Sequence, residues 1–339
     1  MSLKHDDRTR LIVPSVFFLG SFVQMKVTGS TIVKRKSKLI PSLIVTFLVL
    51  IVVVAASVFA IKIIRHHLKD APSVSALEAA WSEYNYSSVY DISHKLLQED
   101  PYDNRALIYH GYASFYLAMS QTDTSLAQNY LDEAINCMRI ALYKAKKQIR
   151  PQLEYMLGKA YFYKNTITSY YYADLALKYL SLSKEHGYQA DDTAEYMGLS
   201  YAALGEPMES IAAFSEALLV RESDSLLLSI AEQYYKAGQA AAAKQYLFRI
   251  KNESSDDDVV LKSRNLLGTI YIDEKNYDEA RTEFEAILKK NQNSADAFYG
   301  LGVIYEKQGD LVKARAEWRK ALRVQVNHAL ALEKMAHYK

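Results

Sequence analysis

The sequence predicts an all-α solenoid of about seven helix-turn-helix repeats, preceded by one transmembrane helix. Three observations carry this. Asp296 to Leu322 reads DAFYGLGVIYEKQGDLVKARAEWRKAL, and 34 residues upstream Lys262 to Leu288 reads KSRNLLGTIYIDEKNYDEARTEFEAIL, with Leu-Gly, Tyr, Ala and an aromatic in the same slots. A fixed period of this size is the mark of stacked helical units. Between Lys38 and Lys62 runs an uncharged, mostly apolar stretch of 23 residues, and about 20 such residues in helix cross the hydrocarbon core of a bilayer. The third observation is charge: residues 1–69 hold 11 Lys and Arg against two Asp, whereas the remainder holds 30 against 37.

Residues 1–38 form a basic segment expected on the cytoplasmic side. Leu11 to Val23 is apolar but too short to span and is broken by Pro14 and Gly20. Met25 opens MKVTGSTIVKRKSK, an ordinary basic lead-in, so translation starting at Met25 is one expectation. Residues 39–64 are expected to be an uncleaved signal anchor, because the apolar run exceeds the roughly 7–15 residues of a cleaved signal peptide. Eight basic residues before the run against Lys62, Arg65 and Lys69 after it place the N-terminus inside. The repeats would then lie outside the cytoplasm, in the periplasm of a two-membrane cell. Ala56 and Ala60 form a small-xxx-small pair that leaves homo-oligomerisation open.

Residues 70–327 hold the repeats. The unit starting at Ala295 shows Phe298, Leu301, Gly302, Tyr305, Gly309, Ala314, Trp318 and Ala321, and the one at Leu261 shows Leu267, Gly268, Tyr271, Tyr277, Ala280 and Phe284. The unit at Asp191 supplies Met197, Gly198, Tyr201, Gly205, Phe214 and Ala217, with Ser210 in a slot usually held by Ala. Asp224 opens a weaker unit with Tyr234, Gly238, Ala243 and Leu247. At Pro151 the first helix is clear in Leu157, Gly158 and Tyr161, and the second resumes after six extra residues with Ala176 and Leu180. Around Asn104 the unit keeps Gly111 and, after a longer insertion, Ala134, Met138 and Ala141; around Asp70 it keeps Tyr86 and Pro101. Small residues at positions 8, 20 and 27 mark close helix crossings, and large apolar residues fill the gaps between units. Residues 328–339 (HALALEKMAHYK) place Leu330, Leu332 and Met335 as the apolar side of a capping helix.

The chain resembles the tetratricopeptide repeat (TPR) family in these slots. The resemblance implies that positions 2, 5, 9 and 12 of each first helix line a concave groove, which assigns Tyr112, Phe115, Tyr155, Phe162, Tyr235 and Tyr299 as candidate partner-binding residues. Tyr suits such a surface because it offers a rigid ring and a hydroxyl. The carboxylate clamp of the family's chaperone-tail binders is not matched: positions 5 and 9 read Val74/Glu78, Ile108/Tyr112, Tyr155/Lys159, Glu195/Leu199, Leu228/Glu232, Asn265/Thr269 and Tyr299/Val303. The insertions at Ser120 to Ser125 and Asn165 to Tyr172 are the expected places for partner-specific contacts. Tyr170-Tyr171-Tyr172 is either an exposed loop run or a helix start packed under the insertion.

No catalytic motif is present, so the chain is expected not to be an enzyme and to need no cofactor or metal. The eight histidines read as scattered surface residues, and Asp256-Asp257-Asp258 lacks the alternating ligands and Gly of a calcium loop. Cys137 cannot pair within the chain and reads as a small core residue. The mildly acidic repeat region disfavours nucleic acid. The expected partners are proteins or peptides, with the membrane reached through one helix. Two roles follow: an envelope assembly scaffold of the secretion, outer-membrane or periplasmic-flagellum type, or a periplasmic chaperone or quality-control adaptor for exported polypeptides.

Overall fold

The computed structural model describes residues 50–62 and 73–338, and the regular structure among them is entirely helical. Two compact units divide the chain at Asp70 and Ala71. In the first, residues 50–62 form continuous helix with every side chain exposed, Val52 and Phe59 about two-thirds so. The rest of the expected anchor, the basic segment 1–38 and Met25 lie outside the described residues. Among the described residues no helix is long and apolar enough to cross a membrane.

The second unit is built of seven helix pairs and a cap. They are α1 (Val74–Ser82) with α2 (Tyr86–Glu99), α3 (Asn104–Met119) with α4 (Thr124–Tyr143), α5 (Arg150–Ile167) with α6 (Ala173–Glu185), and α7 (Thr193–Leu204) with α8 (Pro207–Val220). Then follow α9 (Asp224–Lys236) with α10 (Ala240–Glu253), α11 (Asp257–Asp273) with α12 (Tyr277–Lys290), α13 (Ala295–Lys307) with α14 (Leu311–Val324), and the cap α15 (Ala329–His337). Several starts are fixed by side chains that accept orphan backbone N–H groups: Ser73, Asp103, Asp123, Ser223 and Ser294 each cap in this way.

The repeat slots have direct packing counterparts. A Cβ added at Gly158 would sit 2.6 Å from Leu180 Cγ, and one at Gly268 would sit 2.6 Å from Phe284 Cζ. Position 8 therefore carries Gly so that the large residue at position 24 of the partner helix can lie on bare backbone. Ser210, the departure from Ala, is fully buried and donates its hydroxyl to the Gly198 carbonyl at 2.7 Å. Its polarity is absorbed without a vacancy in the packing.

Five of the seven pairs turn through a left-handed residue at position 15. Gly205, Gly238 and Gly309 hold positive φ there, and in two units the same position is taken by Tyr84 (φ 56°) and Lys275 (φ 63°). Left-handed backbone crowds the Cβ of such residues, so these two turns are strained by comparison.

The irregular units absorb their extra residues by lengthening helices. α3, α4 and α5 run to 16, 20 and 18 residues, against 12 to 14 in α7 to α10. The Asp256 to Asp258 run likewise extends α11: Asp256 accepts the N–H groups of Asp258 and Val259, and Asp257 pairs with Lys290. First helices of successive pairs touch one another (α1 with α3, α3 with α5, α5 with α7, α9 with α11, α11 with α13), while second helices make no comparable contacts. The first helices thus line the inner, concave side.

The cap departs from its expected face. Ala331 is fully buried and Tyr338 stacks on Trp318 at 5.9 Å, whereas Leu330 and Leu332 are half-exposed. They flank Ala331 at 100° on either side, so only the Ala331 and Met335 line meets the last pair.

Candidate concave interface

The densest part of the concave side lies on α5 and α7. Tyr155 donates its hydroxyl to Asp192 Oδ1 at 2.5 Å, and Lys159 Nζ donates to Asp192 Oδ2 at 2.9 Å and to the Tyr155 oxygen at 3.1 Å. The same ammonium lies 4.8 Å above the Tyr196 ring, whose hydroxyl meets that of Tyr163 at 2.7 Å. Phe162 sets its edge on Tyr196 with centroids 5.0 Å apart. Burial, then the Asp192 bond, pushes the Tyr155 phenol far above its usual value, so it stays a neutral donor. Beside this knot a cavity of about 540 Å³ opens between Tyr155, Asp191, Asp192, Glu195, Val220 and Arg221. Asp192 is paired with Lys159 and Glu195 lies 3.8 Å from Arg221, so the three carboxylates leave the walls a surplus of one negative charge.

A second concave cavity, about 400 Å³, lies on α9, α11 and the start of α13. Glu232, Tyr235, Lys262, Asn265 and Thr269 line it, and these include both groove positions expected of α11. Tyr235 donates to Asp273 at 2.6 Å; burial and that bond push its phenol up to about 12. Burial also raises the Glu232 carboxyl, with Lys236 and Lys262 pulling against it.

Toward the start of the solenoid the concave side is aromatic. Trp81 takes edge contacts from Tyr86 and Tyr109 at 5.6 and 5.5 Å, and Tyr86 stacks on Tyr116 at 4.3 Å. Tyr112 closes this group 5.8 Å from Trp81, and burial raises its phenol strongly.

The six candidates therefore fall into different places. Tyr112, Phe162 and Tyr235 are half-buried on the concave side, and Tyr155 is 8% exposed with its hydroxyl engaged. Phe115 is 3% exposed and sets its edge against Tyr163, which makes it a core ring. Tyr299 packs against the α14 core, 5.4 Å from the His328 ring. Asp192, Tyr163 and Tyr196 were not among the candidates. Asp192 sits at position 2 of its unit and so falls within the groove rule; Tyr196 and Tyr163 lie at positions 6 and 13, outside it.

In the Asn165 to Tyr172 insertion both readings of the tyrosine run hold in part. Tyr170 and Tyr171 are exposed, while Tyr172 turns under, its ring 4.7 Å from Lys164 Nζ. Cys137 packs against the core and burial pushes its thiol up to about 11, so it is an inert thiol at neutral pH. The histidines are not all at the surface: His110 and His328 are buried, and His328 caps α15 while its Nε2 meets Asp296 at 3.0 Å.

Residues 265–328 match the family model described as tetratricopeptide repeat. No curated protein matches the sequence. Among solved structures, the apo form of the quorum sensor NprR from B. thuringiensis is similar over 81% of this chain and 82% of its own, at 20% identity and a TM-score of 0.55. A tetratricopeptide repeat protein from Parabacteroides merdae is similar over 77% of this chain and 94% of its own, at 15% identity and a TM-score of 0.50. At these identities the likeness is one of fold. The repeat slots, the seven helix pairs and these matches together support the tetratricopeptide repeat family, and the chain folds as a helical solenoid of that type.

Proposed function

We propose that this chain is a non-catalytic scaffold that holds a segment of another protein on its concave side. The observation that carries this is the joined set of Tyr155, Lys159, Asp192 and Tyr196, in which Tyr155 and Asp192 line the cavity and Lys159, held over the Tyr196 ring, fixes both of them. Its acidic walls favour a segment bearing Lys or Arg. A held network of this kind suits one ordered ligand; promiscuous holders use flexible, re-packing surfaces instead. That favours the assembly scaffold over the adaptor for many unfolded polypeptides.

Residues 39–64 are proposed as the tether to the cytoplasmic membrane, with the solenoid on the outer side. The length of the uncharged run and the exposed apolar helix at 50–62 support this reading. In-cell crosslinking of the full-length protein followed by mass spectrometry tests both parts. A stoichiometric partner joined through α5 and α7, in a membrane fraction that resists high salt, is the expected result. A broad set of substoichiometric polypeptides would favour the adaptor, and release by salt would overturn the tether.

A further inference from the structure

A polar cluster lies where the repeat calls for apolar residues. His110 stands at position 7 of its unit, the slot held by Leu157, Met197, Leu267 and Leu301 in others, and Ser93 stands at position 24 of the unit before. Both are essentially fully buried. Ser93 Oγ lies 2.6 Å from the Val89 carbonyl oxygen, 3.0 Å from that of Tyr90 and 2.8 Å from His110 Nδ1. His110 Nε2 lies 2.9 Å from Glu133 Oε1, and the other carboxylate oxygen accepts the Tyr90 hydroxyl at 2.9 Å.

Counting hydrogens constrains this chain of contacts. A serine hydroxyl has one hydrogen, and the short approach to the Val89 carbonyl claims it. The Ser93 oxygen then accepts Nδ1–H from His110. A neutral ring so oriented carries its lone pair on Nε2, aimed at a carboxylate oxygen that is also an acceptor. Two acceptors at 2.9 Å need a proton or a cation between them: the ring's other tautomer supplies the proton, with Ser93 then donating to Nδ1, and a metal ion supplies the cation.

His94 offers a metal ion a third ligand. Its ring nitrogen, His110 Nε2 and a Glu133 oxygen all lie within 4.8 Å of one another, contributed by α2, α3 and α4. Around a tetrahedral zinc with bonds of roughly 2.0–2.1 Å, ligand atoms stand roughly 3.4 Å apart. His94 is exposed, bonded to Gln98 at 3.2 Å with its ring parallel to that of Tyr90 at 6.2 Å, and a rotamer change would carry it the remaining distance. Ser93 and Tyr90 already do what outer groups do in metal sites: they fix the ring orientation of one ligand and the free oxygen of another.

We propose that His94, His110 and Glu133 bind a divalent transition-metal ion of the zinc class. Two imidazoles and one carboxylate form a nitrogen and oxygen set suited to that class, and the exposed His94 side leaves a fourth position open to water. The ion would tie α2, α3 and α4 together across the boundary of the first two repeat units. This rests on no part of the concave-interface reading.

The test uses the full-length, untagged protein in detergent, titrated with Co²⁺ as a coloured stand-in and then with Zn²⁺. One equivalent of Co²⁺ giving the intense visible bands of a four-coordinate ion, displaced by Zn²⁺, is expected, together with a Zn²⁺-dependent rise in unfolding temperature. His94→Ala, at an exposed position, should leave helical circular dichroism unchanged and weaken binding about a hundredfold, while Tyr90→Phe should weaken it roughly tenfold. Absence of the bands would overturn the proposal. So would bands and a thermal shift that survive His94→Ala yet vanish in His66→Ala/His67→Ala.

Discussion

Lys275 and Tyr84 occupy a backbone position that three other units give to Gly. At φ 63° the Cβ of Lys275 is crowded, at a cost of roughly 1–2 kcal/mol that Gly avoids, partly offset by the greater freedom of Gly in the unfolded chain. Lys275→Gly should therefore stabilise the solenoid by about 0.5–1 kcal/mol, and Gly309→Ala, at φ 84°, should destabilise it by roughly 1–2 kcal/mol. Urea unfolding of both variants checks the pair; a Lys275→Gly variant less stable than the parent would contradict the turn assignment. Gly268→Ala drives a methyl into the Phe284 ring, which is 1% exposed and has no room to retreat, so a loss of about 1–3 kcal/mol is expected in the same assay. These positions were legible because a repeat compares the chain with itself. His110 was read with the other histidines as a surface residue, although it is a polar residue in an apolar slot and is buried. Its partners were hidden because Ser93, His94 and Glu133 lie on other helices and the inserted residues before Glu133 break the register.

The cap α15 is held by polar contacts as well as by its packing on Trp318. Glu306 on α13 accepts from Lys334 Nζ at 2.7 and 2.8 Å and from the Tyr338 hydroxyl at 2.7 Å. Burial acts to raise the Glu306 carboxyl, but Lys334 and Tyr338 outweigh it and hold the group below the usual carboxylate range. A carboxyl depressed in the folded state contributes stability above its unfolded value, roughly pH 4.3, and loses it as pH falls through the folded value. Acidification below about pH 4 should thus loosen α15 before the rest, read as a change in Trp318 emission when Tyr338 leaves its ring. Glu306→Gln should show the loosened signal already at pH 7. The apolar pattern of this helix misled because Leu330 and Leu332 lie on opposite flanks of the small residue that makes the contact. Ala331 carries too little hydrophobicity to mark a face by itself.

Across the whole solenoid, neighbouring units are joined by pairs spaced near the repeat length, such as Lys184 with Glu216 and Lys251 with Glu283. Stability then accumulates through neighbour contacts, so damage in one unit is felt mainly by the next. The helical solenoid was readable since helix, turn and crossing residues recur at fixed offsets, whereas no helix among the described residues is long and apolar enough to be the expected membrane span. The binding surface was readable only in part. A position rule named Tyr112, Tyr155, Phe162 and Tyr235, all on first helices, but it could not foresee that Phe115 is buried or that Tyr163 and Tyr196 come together.

The concave side as the holding surface is tested most directly by photo-crosslinking in cells, with a photoreactive residue placed singly at Phe162 or Tyr235 on first helices, and at Leu219 or Val312 on second helices. Leu219 and Val312 are 87% and 82% exposed, so reactivity there is limited only by what comes near. The account predicts a discrete crosslinked species from the first-helix positions, lost when Asp192 and Glu195 are both replaced by Lys, and none from the second-helix positions. Crosslinks from Leu219 or Val312 with none from Phe162 and Tyr235 would contradict it.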